Sequence, residues 1–412
     1  MKTVSVVRLA RPARGPVPLA QLPPLALYVH LPWCLKKCPY CDFNSHEWRA
    51  APAAGQGLSL LPPELEQRYL DALQADLEAS LPLVWGRSVQ TVFIGGGTPS
   101  LFSPAAIEAL LATVRARLRL APQAEITLEA NPGSFETGRF AGFARAGVTR
   151  LSIGVQSFDD DLLRAIGRVH DGAQARAAVA EAARHFETFN LDLMYALPGQ
   201  TLAALGRDID EALSYRPPHL SAYHLTLEPN TLFAKYPPAL PDDDLAADMQ
   251  ALLETRLGDE GLRRYEISAW ARTGHQARHN LNYWQFGDYL GIGAGAHGKL
   301  SFHDGILRQS RLRHPERYMQ AALGGAGALE QEHRLQANDL PFEFMLNALR
   351  LVDGVPASMF AERTGLPLSA MARALRAAGE AGLLDPDPAL LRATPLGLRF
   401  LNDLQEKFLE ET

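Results

Sequence analysis

The sequence contains little cysteine: three residues among 412, all between positions 34 and 41. A disulfide framework spreads an even number of cysteines along the chain, so an odd and tightly clustered set argues against one. The cluster favours a reducing compartment, and we expect the protein to be cytoplasmic.

Long apolar runs are also missing. A membrane-spanning helix needs about 18 or more consecutive apolar residues, and because no such run occurs we expect no membrane anchor. The first 20 residues carry basic side chains and prolines without a continuous apolar core, which argues against a secretory signal. We predict a flexible N-terminal tail over 1–23 and a surface loop over the Ala/Pro/Gly-rich segment 50–62.

An excess of positive charge is absent as well. The formal net charge is −6, whereas binding to phosphate backbones requires a basic face. We therefore expect no nucleic-acid partner. Hydrophobic residues make up 47% and charged residues 21% of the chain, which is ordinary for a globular protein of this length.

The sequence does contain a regular alternation of short apolar runs and longer helical patterns. Six β-type runs recur at spacings of about 25–65 residues, each followed by a helical pattern. The runs are 25–32, 91–97, 125–132, 150–158, 190–199 and 219–229. Runs that are apolar almost throughout are typical of a parallel sheet buried on both faces. They predict an α/β unit over 24–260, with functional residues at the carboxyl ends of its strands.

The pattern changes after residue 260. Residues 265–271, YEISAWA, predict one more strand, and the aromatic, glycine-rich segment 278–300 predicts a structured loop. We assign 261–334 as an extension of the preceding unit. From 335 to 412, three short helical patterns and a short strand pair predict a mainly helical, winged-helix-like domain.

The three cysteines form the pattern Cys34-x3-Cys38-x2-Cys41. Thiolates at this spacing converge on one metal centre when they lie on a tight loop. A structural zinc site has four ligands, and an iron–sulfur cubane usually has four cysteines. Three cysteines thus leave one iron of a [4Fe–4S] cluster open to a ligand from outside the protein. A zinc site completed by His30 or His46, or three unrelated thiols, are the alternatives.

This pattern, with the aromatic residue Tyr40 before the last cysteine, resembles the radical S-adenosylmethionine (SAM) superfamily. The resemblance implies that Cys34, Cys38 and Cys41 bind a [4Fe–4S] cluster whose fourth iron is chelated by SAM. It also implies cleavage of SAM to a 5′-deoxyadenosyl radical as the chemistry of the superfamily. The fold it implies is a partial (β/α)6 barrel, in agreement with the six predicted units, to which the C-terminal helical domain is appended.

Residues behind the second and third predicted strands extend the resemblance. Gly96, Gly97 and Thr98 follow one strand, where glycine allows close approach of the backbone to a ligand. Glu129 lies within the next strand, where an unpaired buried carboxylate is costly. The resemblance implies that these residues contact SAM. A tight turn and a salt bridge to a neighbouring strand are the structural alternatives.

Polar residues at later strand ends complete the predicted SAM site. Gln156, Arg168 and Asp192 can hold an amino-acid head group and a ribose, since guanidinium binds carboxylate with two hydrogen bonds. With Tyr28 and Tyr40 they match SAM-contacting positions of the oxygen-independent coproporphyrinogen III oxidase family. Some of these positions serve a second SAM in that family, so the number of SAM molecules stays open. Each residue alone also fits a sheet-edge hydrogen bond.

The resemblance covers residues 25–400 and divides into two branches. Coproporphyrinogen oxidases carry a further cysteine two positions after the third, where this chain has Phe43. Because Cys34 lies near the start of the sequence, we also expect no counterpart of their long N-terminal extension. The string CPYCDFNSH instead resembles the HemW-type haem chaperones, and so does the HNxxYW pattern at 279–284.

Two histidines are candidates for binding haem. His279 begins the HNxxYW pattern, and histidine ligates haem iron while aromatic neighbours pack on the porphyrin. We predict His279 as the haem contact, with His297 in GAGAHGK as a second candidate. In the alternative interpretation the pattern only packs the mouth of the barrel, and a carboxylate satisfies His279.

The resemblance implies two functions. We favour a haem chaperone that carries the cluster and SAM, binds haem as cargo and passes it to an acceptor such as a respiratory protein, without coproporphyrinogen oxidase activity. The alternative is oxidative decarboxylation of coproporphyrinogen III to protoporphyrinogen IX, in which the radical abstracts a propionate β-hydrogen. The acceptor, the oligomeric state and the mode of haem attachment are not determined by these residues.

Overall fold

A computed structural model describes residue 19 and residues 21–48, 61–133 and 137–409. Most of the predicted tail and of the predicted loop over 50–62 therefore lies outside the described residues. At the end of the predicted tail, Leu19 is buried, and its carbonyl accepts a hydrogen bond of 2.9 Å from Nδ1 of His303.

A twelve-stranded sheet forms the centre of the protein. The strands of the chain are β1 (Leu25–Leu31), β2 (Trp33–Cys34), β3 (His46–Glu47), β4 (Ser88–Gly96), β5 (Arg119–Ala130), β6 (Arg150–Gln156), β7 (Thr188–Tyr195), β8 (His219–His224), β9 (Arg263–Glu266), β10 (Ala269–Ala271), β11 (Asp288–Ile292), β12 (His297–Phe302), β13 (Gly305–Arg311), β14 (Leu329–Arg334), β15 (Val355–Pro356) and β16 (Leu390–Leu391). In the large sheet they follow the order β14-β13-β12-β11-β1-β4-β5-β6-β7-β8-β10-β9.

Helices cover this sheet and form most of the C-terminal region. They are α1 (Pro63–Val84), α2 (Pro104–Arg117), α3 (Phe140–Ala146), α4 (Asp160–Ala165), α5 (Gly172–His185), α6 (Leu202–Ser214), α7 (Leu232–Lys235), α8 (Asp243–Asp259), α9 (Arg278–Trp284), α10 (Pro315–Leu323), α11 (Leu340–Ala348), α12 (Ser358–Thr364), α13 (Ala372–Glu380), α14 (Pro395–Arg399) and α15 (Leu401–Glu406). Among the described residues, no helix is long and apolar enough to cross a membrane.

The six predicted strands lie side by side in parallel, in the order β1-β4-β5-β6-β7-β8. Their central side chains, among them Leu27, Val92 and Leu128, are fully buried, as expected for a sheet covered on both faces. The predicted partial (β/α)6 barrel is confirmed. Its parallel arrangement brings the carboxyl ends of the six strands to one edge, where the predicted polar residues lie.

Side-chain caps define the starts of several of the covering helices. The Ser103 hydroxyl accepts from the backbone N–H of Ala106 at the start of α2, and Asp171 forms a capping box with Gln174 at the start of α5. Such caps satisfy backbone donors that the first helical turn leaves open. They fix where each crossover helix begins after its strand.

The prediction of a structured loop over 278–300 is wrong. This segment forms α9 and strand β11, then a turn and the first part of β12. Strand β11 pairs in parallel with β1, and β12 to β14 continue the sheet in antiparallel fashion. Glycine, which is depleted in strands, concealed the pattern. It is required here because a Cβ at Gly291 would lie 1.9 Å from the carbonyl oxygen of His297.

The prediction of one strand over 265–271 also needs correction, because β9 and β10 form an antiparallel hairpin there. The turn between them is held by the guanidinium of Arg264, which donates to the carbonyl of Ile267 at 2.6 Å. The pair extends the barrel sheet beyond β8.

The C-terminal region is mainly helical, as predicted. Helices α11 to α15 surround a core that contains Phe344, Phe360 and Leu404, and β15 and β16 form a two-stranded antiparallel sheet beside them. Phe286 and Ile306 from the preceding extension belong to the same core. The helical appendage therefore packs on the extension that flanks β1.

Candidate cofactor site and adjoining cavity

The three cysteines lie on a loop that the backbone closes at both ends. Cys34 ends β2, which pairs in parallel with β3, and its carbonyl accepts from the N–H of Trp48 at 2.8 Å. Within the loop, the N–H of Cys41 donates to the carbonyl of Cys38 at 3.1 Å. All three thiols are unpaired and partly buried. The loop therefore presents three sulfur donors from one short segment.

Each sulfur has a polar neighbour. The hydroxyl of Thr98 donates to Sγ of Cys34 at 3.4 Å, and Nη1 of Arg168 donates to Sγ of Cys38 at 3.6 Å. The hydroxyl of Ser45 lies 4.0 Å from Sγ of Cys41. Burial raises the pKa of Cys34 to about 11, and a metal cation would favour the thiolate there.

The donor set fits a cluster better than a single zinc ion. In the described part of the chain, no three His, Cys, Asp or Glu side chains converge on one metal position. His30 has no uncommitted ring nitrogen, since Nδ1 lies 3.0 Å from the hydroxyl of Tyr28 and Nε2 lies 2.9 Å from the carbonyl of Asn44. Three cysteines that each bind a different iron of a cluster need not meet at one point.

A cavity of about 390 Å³, called the first cavity below, opens beside the cysteines. This volume lies in the range of small-molecule sites, about 300–1,000 Å³. All the residues predicted to contact SAM line it except Tyr28. They are Tyr40, Gly96, Gly97, Thr98, Glu129, Gln156, Arg168 and Asp192. The sequence thus identified residues that the fold brings together from four different strands and the loops behind them.

Two partly buried carboxylates face this cavity. The pKa of Glu129 is raised to about 7 by burial and by the charge of Asp192. Burial also raises the pKa of Asp192 to about 6, although Asn190 donates to it at 2.7 Å. Glu129 makes no ion pair with any residue that the structure describes, so the predicted alternative of a salt bridge is not seen. Carboxylates held without a protein cation fit a ligand that carries positive charge, as SAM does.

A chain of hydrogen bonds links two of the cysteines. Nη2 of Arg168 donates to Oδ1 of Asn131 at 2.7 Å, and Nδ2 of Asn131 donates to the hydroxyl of Thr98 at 2.9 Å. Since Thr98 and Arg168 contact Cys34 and Cys38, the chain of hydrogen bonds connects the surroundings of these two sulfurs. Nε of Arg168 is buried and makes no hydrogen bond with a described residue. Asn131 was missed in the sequence, although its place before a proline at a strand end was a usable signal.

The glycines after β4 serve the packing of the cysteine loop. A Cβ at Gly96, whose φ is +117°, would lie 2.6 Å from the His30 ring, and one at Gly97 would lie 2.6 Å from the carbonyl oxygen of Trp33. The N–H of Gly96 donates to Oε2 of Glu129 at 3.1 Å. Glycine is thus needed for close packing against β1 and β2, in addition to any approach of a ligand.

Other polar residues in the wall of the first cavity had no signal in the sequence. Oδ1 of Asn190 lies 2.6 Å from Nδ1 of His219 and accepts from the hydroxyl of Ser221 at 3.1 Å. This contact orients the amide that donates to Asp192. Single polar residues inside apolar strands give no periodic pattern from which such a network could be inferred.

A larger cavity of about 690 Å³, called the second cavity below, adjoins the first. Both cavities are lined by Gly96 and Glu129 and by the loop residues Asp42 and Phe43. The predicted SAM contact Tyr28 lines the second cavity. The remaining wall comes from α9 and from strands β11 to β13, which lie on the other side of β1.

His279 lines neither cavity. It is 1% exposed, and both ring nitrogens are engaged: Nδ1 lies 2.8 Å from the Thr91 hydroxyl, and Nε2 lies 2.8 Å from the hydroxyl of Tyr283. Burial lowers the pKa of His279 to about 3. The histidine predicted to contact haem therefore offers no ring nitrogen to a ligand in this conformation. Its partners are two hydroxyls, not the carboxylate of the packing alternative.

Comparison with known families and sequences places the chain among characterised proteins. It matches the radical SAM superfamily over residues 28–212 and the HemN C-terminal domain over residues 335–400. It is 46% identical over 395 residues to the heme chaperone HemW of Escherichia coli K12, a match that covers 95% of this chain and 100% of that protein. A heme chaperone HemW of Mycobacterium tuberculosis H37Rv is 38% identical over 374 residues, which are 89% of this chain and 90% of the relative.

One further relative and one solved structure extend the comparison. A mouse protein, radical S-adenosyl methionine domain-containing protein 1, mitochondrial, is 41% identical over 305 residues, covering 71% of this chain and 66% of the relative. The structure of coproporphyrinogen III oxidase (HemN) from Escherichia coli matches with a TM-score of 0.77 and 23% identity, covering 94% of this chain and 90% of that one. At this identity the structural match supports the fold alone.

Proposed function

The chain belongs to the radical SAM superfamily and, within it, to the family of the heme chaperone HemW, and on this premise we propose that it binds haem and transfers it to an acceptor protein. The observation that carries the proposal is the second cavity. It is larger than the first and leaves space for a second ligand beside the residues predicted to bind SAM.

We assign a [4Fe–4S] cluster to Cys34, Cys38 and Cys41, with SAM in the first cavity. When bound, the reduced cluster supplies the electron that cleaves SAM in the superfamily. The chain's own residues bind and orient SAM. Glu129 and Asp192 provide negative charge for its cationic groups, and the buried guanidinium of Arg168 is a donor for a carboxylate.

Transfer of haem requires an acceptor, for which a respiratory protein is the proposed class. The unpaired state of the three cysteines supports a reducing compartment, and we propose the cytoplasm. Haem is the cargo in this scheme, whereas the cluster and SAM remain with the chaperone.

Decarboxylation of coproporphyrinogen III is the second candidate, because the two adjoining cavities would also hold SAM beside a porphyrinogen. Phe43 argues against it. This residue is 61% exposed and lines both cavities, at the position where the oxidases carry a further cysteine. The boundary between the cavities therefore lacks the additional thiol of that family.

The test is a haem titration of the full chain after anaerobic reconstitution of its cluster, followed by the Soret absorbance. Saturation at about one haem per chain, with a micromolar or lower dissociation constant, would support the chaperone. Unsaturable binding together with conversion of coproporphyrinogen III to protoporphyrinogen IX would favour the oxidase. A protein that neither binds haem at saturation nor converts coproporphyrinogen III would contradict both the chaperone and the oxidase assignments.

Loss of one cysteine tests the cluster assignment separately. Cys38→Ser removes one of only three thiolate ligands, so we expect the reconstituted variant to lose the brown cluster absorbance and most of its iron and sulfide. Chemical iron and sulfide analysis is the measurement. A variant that keeps the full wild-type content of both would exclude Cys38 as a ligand.

A further inference from the structure

Of the two histidines that line the second cavity, His30 and His297, only His297 has an uncommitted ring among the described residues. His30, His219 and His279 each have both ring nitrogens within hydrogen-bond distance of a partner. His297 is exposed and lines the second cavity. Neither of its ring nitrogens makes a hydrogen bond with a residue that the structure describes. An imidazole in this situation is available to a metal.

The backbone of His297 is held in place from both sides. His297 is the first residue of β12 and pairs with Ser310 of β13. The turn before it is closed by a hydrogen bond of 3.0 Å from the N–H of Ala296 to the carbonyl of Gly293. A residue on a paired strand is positioned more rigidly than one on a loop, as a metal ligand requires. Burial and the nearby guanidinium groups of Arg308 and Arg313 lower the pKa of His297, which favours the neutral imidazole that binds iron.

Aromatic side chains form another wall of the second cavity. Tyr283 and Trp284 come from α9 and Tyr289 from β11. The rings of Tyr283 and Tyr289 meet edge to face at 4.6 Å, and His279 holds the Tyr283 hydroxyl at 2.8 Å. The HNxxYW segment therefore contributes its tyrosine and tryptophan to the cavity, while its histidine lies behind them as a positioning residue.

The second cavity also offers donors for anionic groups. Arg313 is exposed and lines the cavity, and its guanidinium forms no ion pair with a described residue. Nε1 of Trp284 is buried and likewise makes no hydrogen bond with any described residue. Uncommitted donors of this kind bind carboxylates, and haem is a planar aromatic ligand with two propionates.

We propose that the second cavity is the haem site and that His297 is the axial ligand of the haem iron. Tyr283 and Trp284 pack on the macrocycle, and Arg313 pairs with a propionate. This inference rests on the proposed function and specifies where its cargo binds. It places haem next to the residues predicted to bind SAM, since Gly96 and Glu129 line both cavities.

The test compares the wild-type chain with three variants, His297→Ala, His279→Ala and His333→Ala, each as the full chain with its reconstituted cluster. His333 is a matched control because it is also exposed, lies on the neighbouring part of the same sheet in β14, and lines neither cavity. Ferric haem is titrated into each, and the dissociation constant is measured with the electron paramagnetic resonance spectrum of the bound haem. Iron and sulfide content shows whether the cluster is intact.

We expect His297→Ala to weaken haem binding by about tenfold or more and to lose the spectrum of histidine-ligated haem, with unchanged cluster content. Added imidazole should restore that spectrum, which a purely structural loss would not allow. His333→Ala should behave as wild type. His279→Ala should keep the histidine-ligated spectrum even where its affinity falls, because Tyr283 loses its partner.

A wild-type spectrum and affinity in His297→Ala would overturn the inference, and loss of the spectrum in His279→Ala alone would assign the ligand to the HNxxYW histidine. A wild-type protein that fails to bind about one haem per chain would instead contradict the proposed function. A second variant, Arg313→Gln, should weaken binding but leave the spectrum unchanged. Unaltered affinity there would remove the propionate contact.

Discussion

At the scale of single residues, the first cavity holds two carboxylates that form no ion pair with a residue that the structure describes. Glu129 and Asp192 lie in the carboxyl-terminal halves of β5 and β7, which are separated by β6, and burial together with the charge of Asp192 raises the pKa of Glu129. Burying carboxylates without a cationic partner costs stability. In this protein the loss of stability arises at a cavity where a bound cationic ligand can offset it.

The pH dependence of stability tests this interpretation. The pKa of Glu129 rises from 4.5 to about 7 on folding, so the folded state holds its proton more tightly than the unfolded chain. The ligand-free protein should therefore lose stability as the pH rises through this window, on the order of 3 kcal/mol. Glu129→Gln removes the ionisable group. We expect its Tm to exceed that of wild type at a pH of about 8 and the difference to disappear at a pH of about 4, below the pKa of the unfolded chain.

Thermal unfolding of ligand-free wild type and variant at the two pH values is the measurement. Glu187→Gln, at an exposed glutamate just before β7, serves as the control. Its Tm should differ from that of wild type by the same small amount at both pH values. A Glu129→Gln variant whose Tm difference does not change with pH would contradict the assignment of a buried, poorly compensated carboxylate.

The sequence pattern and the family resemblance named the three cysteines and eight SAM contacts that line the first cavity, but they did not reveal that, among the described residues, the ring of His279 is committed and that of His297 is not. His279 is satisfied partly by Thr91, which is 188 residues distant in the chain. No local pattern encodes that contact. His297 lies in the pattern GAGAHGK, which is a weaker sequence signal than HNxxYW, yet the fold places its ring at the wall of the second cavity.

At the scale of elements, helix α6 supports the strand end that presents Gln156. Buried Asp208 of α6 accepts from the hydroxyl of Ser157 at 2.7 Å and from the N–H of Phe158 at 2.8 Å. Gln156 itself has a φ of +65°, which is unfavourable for a residue with a side chain. The contacts of Asp208 help to hold the backbone in this conformation, and so position a residue of the first cavity from behind the sheet.

Removing this support should affect both stability and ligand binding. Asp208→Ala leaves a buried donor unsatisfied, which costs about 1–3 kcal/mol, and frees the strained segment beside Gln156. We expect a lower Tm and weaker SAM binding, measured by thermal unfolding and by calorimetric titration. Asp210→Ala is the control on the same helix, because Asp210 is exposed and pairs with Arg256, a contact worth about 1 kcal/mol or less. Unchanged SAM affinity in Asp208→Ala would limit its role to packing.

The sequence predicted those elements whose hydrophobic pattern is strong. The six barrel strands are apolar over most of their length, and several of their crossover helices have side-chain caps. The sequence did not reveal strand β11 because it contains glycine, which is depleted in strands. Gly291 is needed there because the carbonyl of His297 approaches its backbone closely. The β9–β10 hairpin was predicted as one strand because its turn, Ile267-Ser268, contains no glycine or proline.

At the scale of the whole molecule, the helical appendage closes the sheet at its β9 edge as well as packing on the extension. The N–H of Val352 donates to the carbonyl of Tyr265 at 3.1 Å, and Glu266 forms a β-bridge with Leu351. An edge strand covered in this way does not expose its backbone groups to other chains. These contacts join segments about 85 residues apart, so no local pattern predicted them.

Two ion pairs join the same two segments and differ in burial. Arg350 contacts Glu266 at 3.1 Å with side chains 28% and 4% exposed, and Arg263 contacts Asp353 at 2.7 Å with side chains 76% and 61% exposed. Arg350 also lies 4.3 Å from the ring centre of Trp284, on the wall of the second cavity. The buried pair therefore connects the appendage both to the barrel sheet and to the proposed haem site.

This contrast gives a prediction in which each variant is the control for the other. Arg350→Ala leaves the buried carboxylate of Glu266 without its cation and should destabilise the protein by about 2–3 kcal/mol, with weaker haem binding because Trp284 loses its cation–π contact. Arg263→Ala should cost about 1 kcal/mol or less and leave haem binding unchanged. Urea unfolding followed by tryptophan fluorescence and by circular dichroism measures the loss of stability, and the haem titration measures the change in haem affinity.

If both variants lower stability equally, burial of Glu266 contributes nothing to the ion pair. If Arg350→Ala lowers stability but leaves haem affinity unchanged, the appendage supports the fold without shaping the second cavity.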